Sequence, residues 1–431
     1  MTYRLLLLTW ILVLFHPLRM VNQYVGGLSA FYWLQSLLLA CLLPLWIMER
    51  ARKRNFTLLM LLVALHALST LLVAENTGYA RTATRMIFEV YLLGIVTLSL
   101  CAEKRRLEAL LRLFALNFIY YAFWGVRGGG KIGWDYVLDD SNQFGTYMGM
   151  GVAFCFCYFA AHRVGRGRWL GLAGAAASLL GAIASFSRGS FLALTVSYAY
   201  LWVRAKRRVA VTLAGCAGGV LLFVAANWLF PGGEFWQEMK TIQSGTAAGT
   251  GLDRKVLWGI AWNQFKANPL LGVGVHNFGV LAPVYAGEEA RVRYPDLRTL
   301  WGRSPHNIYF QVLAEQGIVG MTLFLVLLGS FWKENRKMRK ALEPFVKRTP
   351  RSERELTGGR IEARRYANYA DGILVAAVCY LIGGFFYPIY EYPWLWSLLI
   401  INRLLRLVVS AEIARRQDAG IAGRRVSGAG T

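Results

Sequence analysis

The run Ser304-Pro305-His306-Asn307 opens a long apolar stretch, and its residue types suit acid–base chemistry. A serine cap followed by proline at the first helical position predicts a helix start there, with His306 in the first turn. The positive end of a helix disfavours imidazolium, which keeps the ring a neutral base near pH 7, and the same terminus can hold a phosphate. The plainer alternative is a histidine that anchors the helix end at the surface. Arg188 lies in Ser185-Phe186-Ser187-Arg188-Gly189-Ser190, a short reversal between two apolar spans. An arginine in that position faces a bundle interior or an aqueous cavity and takes an anionic partner, protein or phosphate, unless it merely snorkels to the interface.

Asp253 can cap a helix whose apolar residues Leu257, Trp258, Ala261, Trp262 and Phe265 recur at three-to-four spacing, ending at Asn268-Pro269. Arg254 and Lys255 fall in its first turn, and its Trp-rich face suits a membrane interface. Asp139, Asp140 and Asn142 are explained by helix capping, with no further oxygen ligands at calcium-site spacing. Glu315 is a carboxylate inside apolar sequence. Nine residues of helix place it on the face opposite His306 and about 13 Å deeper, so it tethers the helix to a neighbour rather than orienting that ring.

Other signals fail on context. The segment 125–131 has phosphate-loop glycine spacing, but Ile132 stands where Ser or Thr is required and no strand precedes it. Gly272-Val273-Gly274 lacks the third glycine and the βαβ setting of a dinucleotide site, and His276 reads as loop packing. The six cysteines all sit in apolar spans without a CxxC pair, which implies neither disulfide nor metal.

These residues must be positioned by membrane helices. The chain has 431 residues, 56% of them hydrophobic, more than one soluble core accommodates. Apolar stretches recur often enough to predict about twelve transmembrane helices, an all-α polytopic bundle with one long helical outward loop. The net charge of +24 is split into short clusters between spans, among them Arg50 to Arg54, Lys104 to Arg106, Arg204 to Arg208 and a long stretch within 333–371. That pattern reports topology and attraction to anionic lipids, not nucleic-acid binding. The positive-inside rule puts these loops and both termini in the cytoplasm. Without a small-residue cleavage site, the first apolar stretch reads as a retained helix. The expected organisation is nine helices in 1–230, the large outward loop at 231–305, three helices in 306–410 with the basic loop at 333–371, and a cytoplasmic tail at 411–431.

Three segments together resemble the O-antigen ligase and polymerase superfamily. They are Ser187-Arg188-Gly189-Ser190-Phe191-Leu192-Ala193-Leu194, the stretch from Arg254 and Trp258 to Asn268-Pro269-Leu270-Leu271-Gly272-Val273-Gly274, and the run from His306-Asn307-Ile308-Tyr309 to Glu315-Gln316-Gly317-Ile318-Val319-Gly320. The resemblance covers roughly 140–332. It implies a glycosyltransferase of the bacterial inner membrane that moves a glycan from undecaprenyl diphosphate to an acceptor hydroxyl on the periplasmic side, without ATP or metal and with no cofactor. By that resemblance Arg188 and Arg254 bind the diphosphate and His306 is the general base. Lys255, Arg303, Asn307, Asp140, Asn142 and Glu315 are further candidates for substrate contacts, and Lys240, Arg291, Arg293 and Arg298 are more distant ones. The expected function is an O-antigen ligase whose acceptor is the lipid A core oligosaccharide, with inversion at the anomeric carbon. A polymerase of the same superfamily is the alternative, and a protein O-oligosaccharyltransferase is a third. A transporter or flippase is the alternative of another class, against which stands the gathering of polar residues at one face rather than at a midplane ion site.

Overall fold

The computed structural model describes residues 2–15, 54–134, 138–205, 208–240, 250–347, 353–388, 390 and 393–428, and among them only helices and connecting turns occur. Cys41, His16, Arg50, Arg52, Lys53, Lys206, Arg207 and the glycine-bearing stretch 245–249 lie outside the described residues. The bundle consists of α1 (Thr2–Phe15), α2 (Arg54–Thr70), α3 (Thr77–Leu100), α4 (Lys104–Arg127), α5 (Ser141–Ala161), α6 (Arg166–Ala184), α7 (Arg188–Arg204) and α8 (Arg208–Leu229). Short helices follow: α9 (Glu234–Lys240), α10 (Thr250–Ala267), α11 (Phe278–Leu281), α12 (Glu288–Arg293) and a 3-10 turn at Leu297–Leu300. The chain then runs through α13 (Ile308–Lys347), α14 (Glu353–Gly383) and α15 (Pro393–Gly428).

The all-helical expectation holds, and the expected count of about twelve spans is not confirmed by the described residues. Among the described residues, seven helices are long and apolar enough to cross a membrane: α3, α4, α5, α6, α8 and the apolar parts of α13 and α14. The apolar helices Tyr3–Phe15 and Leu58–Thr70 are shorter, about 20 Å each against a ~30 Å hydrocarbon layer. With 17 residues α7 also falls short, and α15 carries Asn402, Arg403 and Arg406 within its apolar part.

Side chains from α1, α3, α4, α5, α13, α14 and α15 share the main hydrophobic core. A second core belongs to the segment after α9: Leu257 and Ala261 of α10 pack with Phe278, Ala282, Ala290 and Leu300 to make a small cap. The Trp-rich face of α10 therefore does not lie wholly at an interface. Trp258 stacks on Phe310 at 5.5 Å, while Trp262 stays exposed. The reason is that short α11 and α12 supply apolar partners on that side.

Cap and bundle are joined at a break in α13. Gly317 has φ 60° and ψ −161°, a backbone region open essentially to glycine alone. The groups released there are taken up by the stretch before α11. The Ala314 and Glu315 carbonyls accept from the Val273 and Gly274 N–H groups at 2.9 and 3.0 Å, and the Ile318 N–H donates to the Pro269 carbonyl at 2.8 Å. A buried helix break has to satisfy its backbone in this way.

Candidate functional site

Four chain segments meet the first turns of α10 at the end of the bundle that carries the cap. The first is the start of α5, where the Asp140 carboxylate caps the helix by accepting from the N–H groups of Asn142 and Gln143 at 2.6 and 3.3 Å. The second is the start of α7. The Ser187 hydroxyl accepts from the Ser190 N–H at 3.2 Å and donates to the Asn142 side chain at 2.8 Å. That network fixes Arg188, the first residue of α7, beside the first turn of α5. Gly189 permits the approach of the third segment, because a Cβ there would meet the Phe386 ring at 2.8 Å. Phe386 and Tyr387 lie in the turn leaving α14. The fourth segment is 303–307.

His306 is not in the first turn of α13. Asn307 is the cap: its side-chain oxygen accepts from the Tyr309 and Phe310 N–H groups at 2.9 and 3.1 Å. His306 precedes it with a left-handed φ of 49°. On one side the Pro305 carbonyl accepts from the Trp258 indole at 2.9 Å. On the other the Asn307 amide donates to the Phe385 carbonyl at 3.3 Å and the Ile308 N–H donates to Gly384 at 2.7 Å. The imidazole is held from both cap and bundle, edge-on to the Tyr387 ring with centroids 5.7 Å apart. Its Nδ1 is buried and has no hydrogen-bond partner among the described residues.

Burial pushes the pKa of His306 down, the positive charge of Arg254 pushes it further, and Asp140 opposes them. The neutral base expected from sequence is thus favoured by desolvation and a cation rather than by a helix terminus. Arg254 is itself shifted down, first by burial and then by Arg188, with Asp140 again opposing. These mutual influences bring Arg188, Arg254, His306 and Asp140 into one electrostatic neighbourhood, which the Arg303 charge also reaches. The Arg254 guanidinium also lies over the Phe386 ring at 5.9 Å. Burial and then Asp140 and Asp139 push the Tyr387 hydroxyl up, against its hydrogen bond with Gln143.

Other candidates stand elsewhere. Lys255 is exposed, 3.8 Å from Glu289. Arg303 donates to the Thr299 carbonyl at 2.9 Å and lies over Tyr294 at 4.7 Å, although its charge reaches His306. Asp253 does not cap α10, which starts at Thr250; it pairs with Arg293 at 2.8 Å, and that bond pulls its carboxyl below the ordinary range. Glu315 accepts from the Phe278 N–H at 3.2 Å, tethering α13 to the cap. His276 lies edge-on to Tyr79 at 5.8 Å, a loop-packing role. Tyr387, Phe386 and Gln143 were not anticipated at the site. Their one sequence signal is the aromatic run Phe385-Phe386-Tyr387 directly after Gly383-Gly384 at a helix end.

The fold and site define a multi-pass helical membrane protein with a partly desolvated cluster of charged residues and a histidine under a helical cap at one end of the bundle. The family model described as O-antigen ligase matches residues 172–325, so the resemblance read from sequence holds for a segment containing Arg188, Arg254 and His306. The match supports a membrane glycosyltransferase of the ligase or polymerase type. A comparison with curated proteins finds no match.

Proposed function

We propose that this chain is an O-antigen ligase of the bacterial inner membrane, with the His306 cluster on the periplasmic side. It transfers a glycan from undecaprenyl diphosphate to a sugar hydroxyl of the lipid A core. The observation that carries this reading is the meeting of Arg188, Arg254 and His306, from three separate chain segments, in one neighbourhood. In the reaction the acceptor hydroxyl attacks the anomeric carbon as the bond to the diphosphate oxygen breaks, with inversion. His306 takes the hydroxyl proton, a step for which a neutral imidazole is required and which contributes about 10²–10⁴-fold. Arg188 and Arg254 neutralise the charge developing on the diphosphate, and planar guanidiniums do this without competing for the proton. Asp140 keeps the two arginines from repelling each other apart before the donor binds.

The test is transfer by the purified chain in nanodiscs, with undecaprenyl-diphosphate-linked glycan and lipid A core, for wild type and His306→Ala. Loss of at least about a hundredfold in rate with unchanged donor binding is expected. Transfer unaffected by the substitution would remove His306 as the base. Elongation of the donor in the absence of lipid A core would make the protein a polymerase.

A further inference from the structure

At the opposite end of the bundle the charged residues divide into two sets. Those facing inward are paired. Arg403 and Arg406 both bond Glu334, Arg339 pairs with Asp371, and Arg365 donates to Glu108 at 2.9 Å. Asn335 of the same helix donates to Asn402 at 2.9 Å. The set facing outward on α13, namely Lys333, Arg336, Lys337 and Lys340, is exposed, and none of the four has an ion pair among the described residues. Together with Gly329 and Trp332 these four line an open groove.

Helical geometry puts this groove in register with lipid. Ile318, Leu325, Gly329, Trp332, Lys333, Arg336 and Lys340 fall within an arc of about 100° at 100° per residue. Ile318 and Leu325 are exposed apolar side chains on that face, so the stripe facing acyl chains continues directly into the cationic stripe. Trp332 stands at the junction with its ring 5.8 Å from Tyr200 of α7, and Trp202 is exposed nearby in sequence on that helix. Aromatic rings gathered at one height mark the headgroup level.

We infer that the groove of Trp332, Lys333, Arg336, Lys337 and Lys340 is a binding site for the phosphate headgroup of anionic phospholipids, with Trp332 packing on the acyl chains just below. Four unpaired cations one turn apart match several phosphates of a negatively charged leaflet, whereas a merely solvated face would not need a tryptophan and an apolar stripe aligned with it. The groove shares no residue with the His306 cluster, so its occupancy can be read without the transfer reaction.

The experiment is native mass spectrometry of the full chain, released from detergent with phosphatidylglycerol, phosphatidylcholine or inorganic phosphate. The proteins are wild type, Lys333→Gln/Arg336→Gln/Lys337→Gln/Lys340→Gln, and a control in which Lys266→Gln and Arg298→Gln remove exposed cations of the cap. Wild type and control should retain phosphatidylglycerol over phosphatidylcholine by at least about tenfold, and the quadruple variant should lose that preference. An undiminished preference in the variant overturns the site. Retention of inorganic phosphate without preference among lipids assigns the groove to free phosphate and overturns the lipid reading. Should the variant not fold, wild type alone decides: a preference that persists in ~1 M salt, where the Debye length is about 3 Å, is not electrostatic and also overturns it.

Discussion

At the residue scale the proposed chemistry rests on a histidine kept neutral by its surroundings. Burial and the Arg254 charge both lower the His306 pKa, so protonation, and with it loss of the base, sets in only below the ordinary histidine value of about 6.5. The acid limb of the transfer rate should accordingly lie under that value. Arg254→Gln removes a repelling cation, which raises the His306 pKa and moves the limb to higher pH, besides slowing transfer by roughly 10²-fold through loss of diphosphate stabilisation. Initial rates measured from pH 5 to 8 for both proteins check this, and a limb that stays in place would show that His306 does not titrate in the rate. His306, Arg188 and Arg254 stand out in the sequence because an ionisable residue at the edge of apolar sequence has few structural uses. Phe386, Tyr387 and Gln143 do not, since nothing local in sequence tells which aromatic turn of α14 closes against which helix start.

At the element scale two features decide where His306 points. Ser304 and Asn307 are both capping residue types, and sequence favours the one followed by proline. The structure chooses Asn307, whose side chain reaches two N–H groups while its amide holds Phe385. Asn307→Ala should lower stability by about 1 kcal/mol and reduce transfer through a loosened His306. Asn307→Asp, which still caps but cannot donate to the Phe385 carbonyl, should restore only part of the melting temperature. Full stability of the alanine variant with reduced donor affinity would instead make Asn307 a substrate contact. The second feature, the break in α13, was invisible because a lone glycine in an apolar run reads as helix. A Cβ at Gly317 would come within 2.4 Å of the Leu270 carbonyl oxygen, whereas one at Gly329 meets nothing within 4 Å. Gly317→Ala should therefore cost at least about 1–3 kcal/mol and disturb the joint between cap and bundle. Gly329→Ala should be neutral or stabilising by up to about 1 kcal/mol. Equal melting temperatures for the two variants would contradict the observed backbone at 317.

On the scale of the whole molecule, the two ends are built on opposite electrostatic plans. The end under the cap gathers Arg188, Arg254 and Arg303 with Asp139 and Asp140 around His306 and Tyr387. At the other end the inward cations are neutralised by acids from neighbouring helices. The alternation of basic clusters carries the expectation of topology, because that signal is local and repeated. The number of spans is harder to read, since hydropathy alone does not separate a crossing helix from a shorter apolar one or from a helix carrying buried arginines. Glu334 shows what the neutralised end requires: its side chain and that of Arg403 are each only 12% exposed, and it serves Arg406 as well. Glu334→Gln leaves two cations without their acid partner, and removing one side of a buried pair costs about 3–5 kcal/mol. Lys255→Ala, at a pair whose side chains are 62% and 60% exposed, should change stability by less than about 1 kcal/mol. Thermal unfolding of both variants in the same detergent compares them directly. A Glu334→Gln protein as stable as wild type would mean that water or lipid headgroups reach Arg403 and Arg406, and that this end of the bundle is open rather than sealed by its ion pairs.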